Sequence, residues 1–124
     1  MPAPIRVLIV DDSAVFREGL ELVLGLRPRI EIVGAAENGT EAAGLARELS
    51  PDVVLMDYRL PGMDGVESTA AVRAASPATK VVGLTGTANL SERQAFYDAG
   101  AVACLSKDAD LEQIVAAIET AAWS

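Results

Sequence analysis

Hydrophobic positions follow two periodicities along the chain. Short, almost continuously apolar runs are typical of buried strands, and the longer segments between them repeat their apolar residues at helical spacing. The predicted strands are 5–10, 30–36, 52–57, 80–85 and 101–106, of which 30–36 alternates as an edge strand does. The predicted helices are 14–26, 39–49, 66–75, 91–100 and 110–121, with Ser13, Asn38 and Asp110 as N-caps of the first, second and last.

Five successive strand–helix units predict an α/β fold in which helices cover both faces of a parallel sheet. Right-handed crossovers leave few topologies, and the doubly wound strand order 2-1-3-4-5, flavodoxin-like (βα)5, is the natural one for five units. No linker, repeat or low-complexity tract divides the 124 residues. We therefore expect one domain over residues 1–124.

Composition narrows the function classes. The chain is 51% hydrophobic but only 4% aromatic, which predicts an aliphatic core, and its net charge of −8 disfavours direct binding to nucleic acid or to an anionic membrane. Neither a signal peptide nor an apolar run of the ~18 residues that a membrane helix needs is found. The single cysteine, Cys104, excludes an intramolecular disulfide. A cytoplasmic protein is the expectation.

Polar side chains stand where the predicted strands end. Asp11 and Asp12 follow the first strand, Asp57 ends the third, Thr85 ends the fourth and Lys107 follows the fifth. The carboxyl ends of parallel strands share one edge, and ligands bind outside that edge where the strand order reverses. The sequence therefore predicts that three carboxylates, a hydroxyl and an ammonium converge on one pocket.

The chemistry of such a pocket favours a divalent cation. Two carboxylates ~4 Å apart repel by roughly 4 kcal/mol at an effective dielectric constant of 20. Oxygen ligands without histidine or cysteine indicate Mg²⁺, with Mn²⁺ as an alternative. A cation beside Thr85, Lys107 and the bare backbone of Gly86 suits a phosphoryl group. Asp57 is then the candidate nucleophile that forms an aspartyl phosphate.

The motifs "VLIVDDS", "PDVVLMDYRLPGMDG", "KVVGLTGT" and "AGAVACLSKDA" stand in this order along the chain. Together they resemble the response-regulator receiver domain of two-component signalling, over essentially all 124 residues. "FREGL" and the "LSKD" ending resemble the NarL/FixJ type. The resemblance implies a phosphorylation switch that takes its phosphoryl group from a sensor histidine kinase, that is able to form a homodimer, and that reaches DNA only through a C-terminal helix-turn-helix output domain.

The resemblance also implies individual roles for the metal ligands. Asp57 accepts the phosphoryl group and contributes to the metal site. Asp12 binds Mg²⁺ directly, Asp11 binds it through water, and the backbone carbonyl of Arg59 is a further ligand.

The remaining implied roles concern the phosphoryl group. Thr85 and Lys107 contact its oxygens as catalytic residues, and Gly86 lies beside them. Arg59 and Thr87 occupy the positions at which the family tunes its spontaneous dephosphorylation. Like its relatives, the chain would catalyse its own phosphorylation and dephosphorylation without being a conventional enzyme.

Two positions depart from the family pattern. Cys104 stands three residues before the lysine, where an aromatic residue usually couples the threonine to the surface. Asp108 follows the lysine in place of the common proline, which is ordinary for the NarL/FixJ type and removes a reason to expect a cis peptide. These departures concern the output of the switch rather than its chemistry.

Structural explanations compete with these functional ones. Asp11 and Asp12 would also serve as a loop acid and a helix cap, Thr85 as an ordinary strand residue and Lys107 as a solvated loop lysine. Asp64 is better explained by the turn that contains it than by metal binding. Cys104 is better explained as a small buried residue than as a redox sensor.

Three other function classes are alternatives to the switch. A binding module that retains the acidic pocket without phosphoryl chemistry stays open because of Cys104. An aspartate-nucleophile phosphatase would need a second acid two residues after Asp57, where Arg59 stands. A nucleotide-binding fold is the weakest alternative, because no glycine-rich phosphate loop follows a strand.

Overall fold

The computed structural model describes residues 3–86 and 90–124 as a five-stranded sheet with order β2-β1-β3-β4-β5, flanked by helices. All neighbouring strands pair in parallel, which confirms the predicted α/β class and topology. The strands are β1 Ile5–Val10, β2 Ile30–Ala36, β3 Val53–Asp57, β4 Lys80–Thr85 and β5 Ala103–Ser106. The helices are α1 Ala14–Gly25, α2 Gly39–Leu49, α3 Gly65–Ala75, α4 Leu90–Asp98 and α5 Leu111–Ala122.

Side chains alternate between the two faces of the sheet and form two apolar clusters. The cluster beneath α1 and α5 takes Val7 and Ile9 from β1, whereas Leu8 and Val10 join the cluster beneath α2, α3 and α4. β3 divides in the same way, and its residues 53–57 are all buried. A central strand buried on both faces needs the continuous apolar run that the sequence shows.

Helix starts agree with the sequence prediction. Ser13, Asn38 and Asp110 each accept a hydrogen bond from a backbone N–H in the first turn of their helix. Asp64 caps α3 in a capping box: its carboxylate accepts from the backbone N–H of Glu67, and the Glu67 carboxylate accepts from the backbone N–H of Asp64. Asp64 therefore has a structural role at the start of α3.

The main boundary difference lies between α4 and β5. The prediction placed the start of the last strand at residue 101, whereas β5 begins at Ala103. Gly100 has a φ of 108°, and the N–H of Ala101 donates to the carbonyl of Phe96, which closes α4. Because residue 101 belongs to this helix cap, the hydrogen-bonded strand β5 begins only at Ala103 and is shorter than the apolar run 101–106.

Gly65 fixes the loop that follows Asp57. Its N–H donates to the carbonyl of Tyr58 at 2.7 Å, and a Cβ at this position would lie 2.1 Å from the backbone oxygen of Asp57. We expect Gly65→Ala to lower the free energy of unfolding by about 1–3 kcal/mol, because backbone must move to admit the methyl group. Chemical denaturation measures this effect.

The matched control for that substitution is Gly44→Ala. Gly44 lies on the exposed side of α2 and has no atom within 4 Å of the added Cβ. Since alanine favours helix by up to about 1 kcal/mol over glycine, this variant should be neutral or more stable. Equal destabilisation by both substitutions would contradict the proposed close approach at Gly65.

Candidate functional site

Three carboxylates meet at the carboxyl edge of the sheet. Asp11 directly follows β1 and Asp57 is the last residue of β3; their strands are adjacent, with Val10 paired to Met56. One oxygen from each of Asp11, Asp12 and Asp57 lies within 4.8 Å of the others. Asp11 and Asp57 are only 1% and 3% exposed, whereas Asp12 faces solvent. The predicted convergence of the acids is confirmed.

Lys107 follows the edge strand β5 and reaches the carboxylate cluster with its side chain. Its backbone N–H donates to the carbonyl of Thr85 at 2.7 Å, which holds the residue beside the end of β4. Its Nζ lies 2.8 Å from Asp11 Oδ2 and 3.4 Å from Asp57 Oδ2. With 23% of its side chain exposed, Lys107 is an inward-facing ion-pair partner rather than a solvated loop lysine.

The electrostatics of Asp57 reflect this crowding. Burial and the neighbouring charge of Asp11 raise the pKa of Asp57 to about 6, although Lys107 and a hydrogen bond from the backbone of Arg59 act in the opposite direction. Burial alone would lower the pKa of Lys107, but its hydrogen bonds and ionic attraction to Asp11 and Asp57 outweigh burial and raise it. The ammonium therefore stays charged while the carboxylates remain only partly compensated.

The donor set fits a hard divalent cation. Three ionised carboxylates against one ammonium leave two uncompensated negative charges. Asp11 Oδ2 is buried, and the contact that compensates its charge among the described residues is the Lys107 ammonium 2.8 Å away. Asp12 opens the cluster to solvent, so metal-bound waters have room. Oxygen donors with an open side are what Mg²⁺ requires.

The structure also places the other predicted site residues. Thr85 is buried at the end of β4, and Gly86 follows it on the exposed rim. The backbone N–H of Arg59 faces the Asp57 carboxylate, while its carbonyl stays a predicted ligand. Thr87 lies outside the described residues.

Two side chains of α1 contact the site although the sequence analysis did not assign them to it. Arg17 donates to the backbone carbonyl of Asp11 at 2.7 Å and lies 3.4 Å from Glu37 Oε1. The ring of Phe16 lies under Lys107, with Nζ 4.3 Å from the ring centroid. Their position in the first helical turn after the acid pair was the available signal, but helical spacing by itself indicates only that Phe16 faces the core.

Residues 7–119 match the model of a protein family described as "Response regulator receiver domain". The chain belongs to this family. Its relatives include the transcriptional regulatory protein LnrK of Bacillus subtilis (strain 168), 39% identical over 116 residues, which are 94% of this chain and 53% of LnrK. The probable transcriptional regulatory protein NarL of Mycobacterium tuberculosis (strain H37Rv) is 38% identical over 120 residues, 94% of this chain and 54% of NarL. The receiver spans about half the length of these relatives.

Solved structures agree with the family assignment. The signal receiver domain of NarL from Mycobacterium tuberculosis superposes with a TM-score of 0.93 at 36% identity, covering 99% of each chain. A response regulator from Burkholderia pseudomallei, with a phosphorylated aspartic acid, a calcium ion and citrate, superposes with a TM-score of 0.84 at 29% identity. The match covers 95% of this receiver and 68% of that chain.

Cys104, which departs from the family pattern, lies in β5. Cys104 is buried, and burial raises the pKa of its thiol; the positive charge of Arg93 acts more weakly in the opposite direction, and the negative charge of Glu92 adds a smaller upward effect. Phe96 is fully buried, and its ring fills the space above Gly83. Tyr97 is 42% exposed. These placements confirm Cys104 as a small buried residue, and they show Phe96 as a core contact with Tyr97 as its partly exposed neighbour.

Within residues 3–86 and 90–124, the receiver has no helix of the length and apolarity that a membrane crossing demands.

Proposed function

We propose that this chain is the phosphoacceptor module of a two-component response regulator, with Asp57 as the residue that receives a phosphoryl group from a sensor histidine kinase. The observation that carries the proposal is the meeting of Asp11, Asp12 and Asp57 with Lys107 at the carboxyl edge of the sheet. Family membership supports the switch. The phosphorylated aspartic acid of the similar Burkholderia pseudomallei regulator supports the type of modification.

The proposed reaction is an in-line phosphoryl transfer. An oxygen of Asp57 forms the new P–O bond, the P–N bond of the phosphohistidine breaks, and the electron pair of that bond stays on the imidazole nitrogen. Asp12, Asp57 and the backbone carbonyl of Arg59, with Asp11 through water, would hold Mg²⁺, and the bound cation would supply positive charge beside the transferring oxygens; Mn²⁺ would serve similarly. The near-complete burial of Asp57 keeps bulk water away from the nucleophile and its product.

Lys107 changes partners during the proposed reaction. Before transfer its Nζ compensates Asp11 and Asp57. After transfer the phosphoryl group presents more negative charge at the position of Asp57, and the ammonium stabilises it. Thr85 and Gly86, at the end of the adjacent strand, would contribute a hydroxyl and a backbone N–H to the same oxygens.

The proposed switch runs from the pocket to the face formed by α4, β5 and α5. Movement of Thr85 and Gly86 towards the phosphoryl group would pull on the elements that carry Phe96, Cys104 and Lys107. Because Cys104 is too small to swing as an aromatic ring does, we propose that β4 and Phe96 carry more of the displacement here. Arg59 and Thr87 would set the rate of spontaneous dephosphorylation.

The remaining proposals concern the whole protein. The relatives are transcriptional regulators, and this receiver spans about half of their length. We therefore propose that residues 1–124 form the receiver domain of a cytoplasmic regulator whose C-terminal helix-turn-helix domain binds DNA. Control of that domain would use homodimerisation through the helical faces. With a net charge of −8, the receiver itself is not expected to bind DNA.

Intact mass spectrometry after incubation with acetyl phosphate tests the chemical part of this proposal. We expect one phosphoryl adduct in the presence of Mg²⁺ and none when EDTA removes the cation. No adduct under either condition would favour a binding module that retains the acidic pocket. Rapid release of phosphate from a generic phosphate ester would favour the phosphatase class instead.

A further inference from the structure

Three groups surround the ammonium of Lys107. Asp11 Oδ2 and Asp57 Oδ2 lie 2.8 and 3.4 Å from Nζ, and the centroid of the Phe16 ring lies 4.3 Å away. A cation within about 6 Å of an aromatic centroid is attracted by the negative face of the ring. Phe16 therefore contributes an uncharged, directional contact to the charged site.

The start of α1 and the apolar core hold the Phe16 ring in place. Phe16 lies in the first turn of α1, and its backbone N–H donates to Oγ of the N-cap Ser13 at 3.4 Å. Its ring packs, partly buried, against the apolar cluster beneath α1 and α5. The helix start and the core thus place an aromatic face beside a lysine that enters from β5.

A bound divalent cation would change the balance among these contacts. Mg²⁺ competes with Lys107 for the oxygens of Asp11 and Asp57 and repels the ammonium. The Phe16 ring cannot ligate Mg²⁺ through oxygen, so a cation in the carboxylate cluster does not compete for this contact. A lysine ammonium stands on a flexible four-carbon stem, and the side chain loses considerable rotamer freedom when it is held in one place. The contact between the Phe16 ring and Lys107 would therefore persist when the carboxylates bind the metal.

We propose that Phe16 is a positioning residue for Lys107, holding the ammonium over Asp57 while Mg²⁺ occupies the carboxylates. The proposal rests on the proposed function, because it assigns Lys107 to the transferring phosphoryl group. It makes the aromatic face, and not merely the apolar volume of Phe16, a determinant of the phosphorylation rate.

A pair of substitutions separates the aromatic face from the volume. Phe16→Leu keeps an apolar side chain without a ring, and Phe16→Tyr keeps the ring. We expect Phe16→Leu to slow Mg²⁺-dependent phosphorylation by acetyl phosphate about 2- to 10-fold. This fold-change corresponds to the loss of a cation–π contact at a partly exposed site. Phe16→Tyr should retain both the wild-type rate and the wild-type Mg²⁺ affinity.

A spectroscopic readout tests the placement independently of activity. The methylene protons next to Nζ of Lys107 lie near the ring face, so their NMR signals should be shifted upfield in the wild type and in Phe16→Tyr. The shift should be lost in Phe16→Leu and should persist when Mg²⁺ is added to the wild type. If Phe16→Leu fails to fold, Phe16→Met supplies the ring-free variant.

The outcomes distinguish this inference from the proposed function. A wild type that forms no adduct defeats the proposed function, whereas its NMR spectrum still reports whether the ring and Lys107 are in contact with Mg²⁺ present. Wild-type rates in Phe16→Leu would overturn the inference while leaving the phosphoacceptor role intact. Equal slowing in Phe16→Leu and Phe16→Tyr would also overturn it, since packing alone would explain the effect.

Discussion

Replacing Lys107 with methionine should slow Mg²⁺-dependent phosphorylation of the receiver by about 10²–10³-fold, the usual effect of removing one group that stabilises charge in a transition state. Methionine keeps much of the side-chain length and removes the charge. The same substitution should tighten Mg²⁺ binding, because the ammonium 2.8 Å from Asp11 and 3.4 Å from Asp57 no longer repels the cation. A slower phosphorylation rate together with a higher Mg²⁺ affinity would identify Lys107 as a group that acts on the phosphoryl oxygens.

Lys80→Met provides the matched control for that prediction. Lys80 begins β4 at the opposite edge of the sheet, so the variant removes the same charge from the protein without touching the pocket. It should leave both the rate and the Mg²⁺ affinity at wild-type values. The rate is followed by intact mass and the affinity by calorimetric titration. Weaker Mg²⁺ binding in Lys107→Met would contradict the role given to the ammonium.

Replacing Asp57 with asparagine should stabilise the metal-free receiver at pH 7 by about 1–3 kcal/mol, at ~1.4 kcal/mol per unit of pKa shift. Burial and Asp11 raise the pKa of Asp57 to about 6 from an ordinary value of 3.8, so the folded protein resists ionisation of this carboxyl. Asparagine occupies the same space without the charge. Thermal or chemical denaturation in EDTA measures the difference.

The pH dependence has a definite sign. Since the folded state holds the proton of Asp57 more tightly than the unfolded state, this carboxyl contributes stability below pH 3.8, and that contribution is lost as the pH rises through about 6. The gap between wild type and Asp57→Asn should therefore widen between about pH 4 and pH 6. Asp98→Asn, at an exposed acid on α4, should follow the wild type. A gap that is independent of pH would contradict this origin, and Mg²⁺ should close it by stabilising the wild type.

The topology of this receiver was predictable because its central strands carry an unambiguous pattern. The mostly apolar runs at 53–57 and 80–85 have strand length and end in polar residues, and parallel sheets covered on both faces are built from strands of this kind. Residues 101–106 were less informative. Their apolar run includes Ala101, whose N–H closes α4 instead of entering the sheet, and apolar periodicity does not distinguish these two uses.

The convergence of the charged side chains at the site was also predictable from the sequence. The rule that parallel strands share one carboxyl edge is enough to place Asp11, Asp57 and Lys107 in one pocket. It could not supply the contacts of Phe16 and Arg17, because these depend on the rotation of α1 about its axis and on its packing across the sheet. The raised pKa of Asp57 likewise results from burial and distances that exist only in the folded chain.

The central claim is that Asp57 itself is the phosphoacceptor and that its reaction needs the divalent cation. Borohydride reduction of the acyl phosphate after incubation with acetyl phosphate, followed by peptide mass spectrometry, locates the modified residue directly. We expect reduction at Asp57 with Mg²⁺ present and an unmodified peptide with EDTA. Modification at Asp11, Asp12 or another acid, or at Asp57 regardless of the cation, would contradict the account.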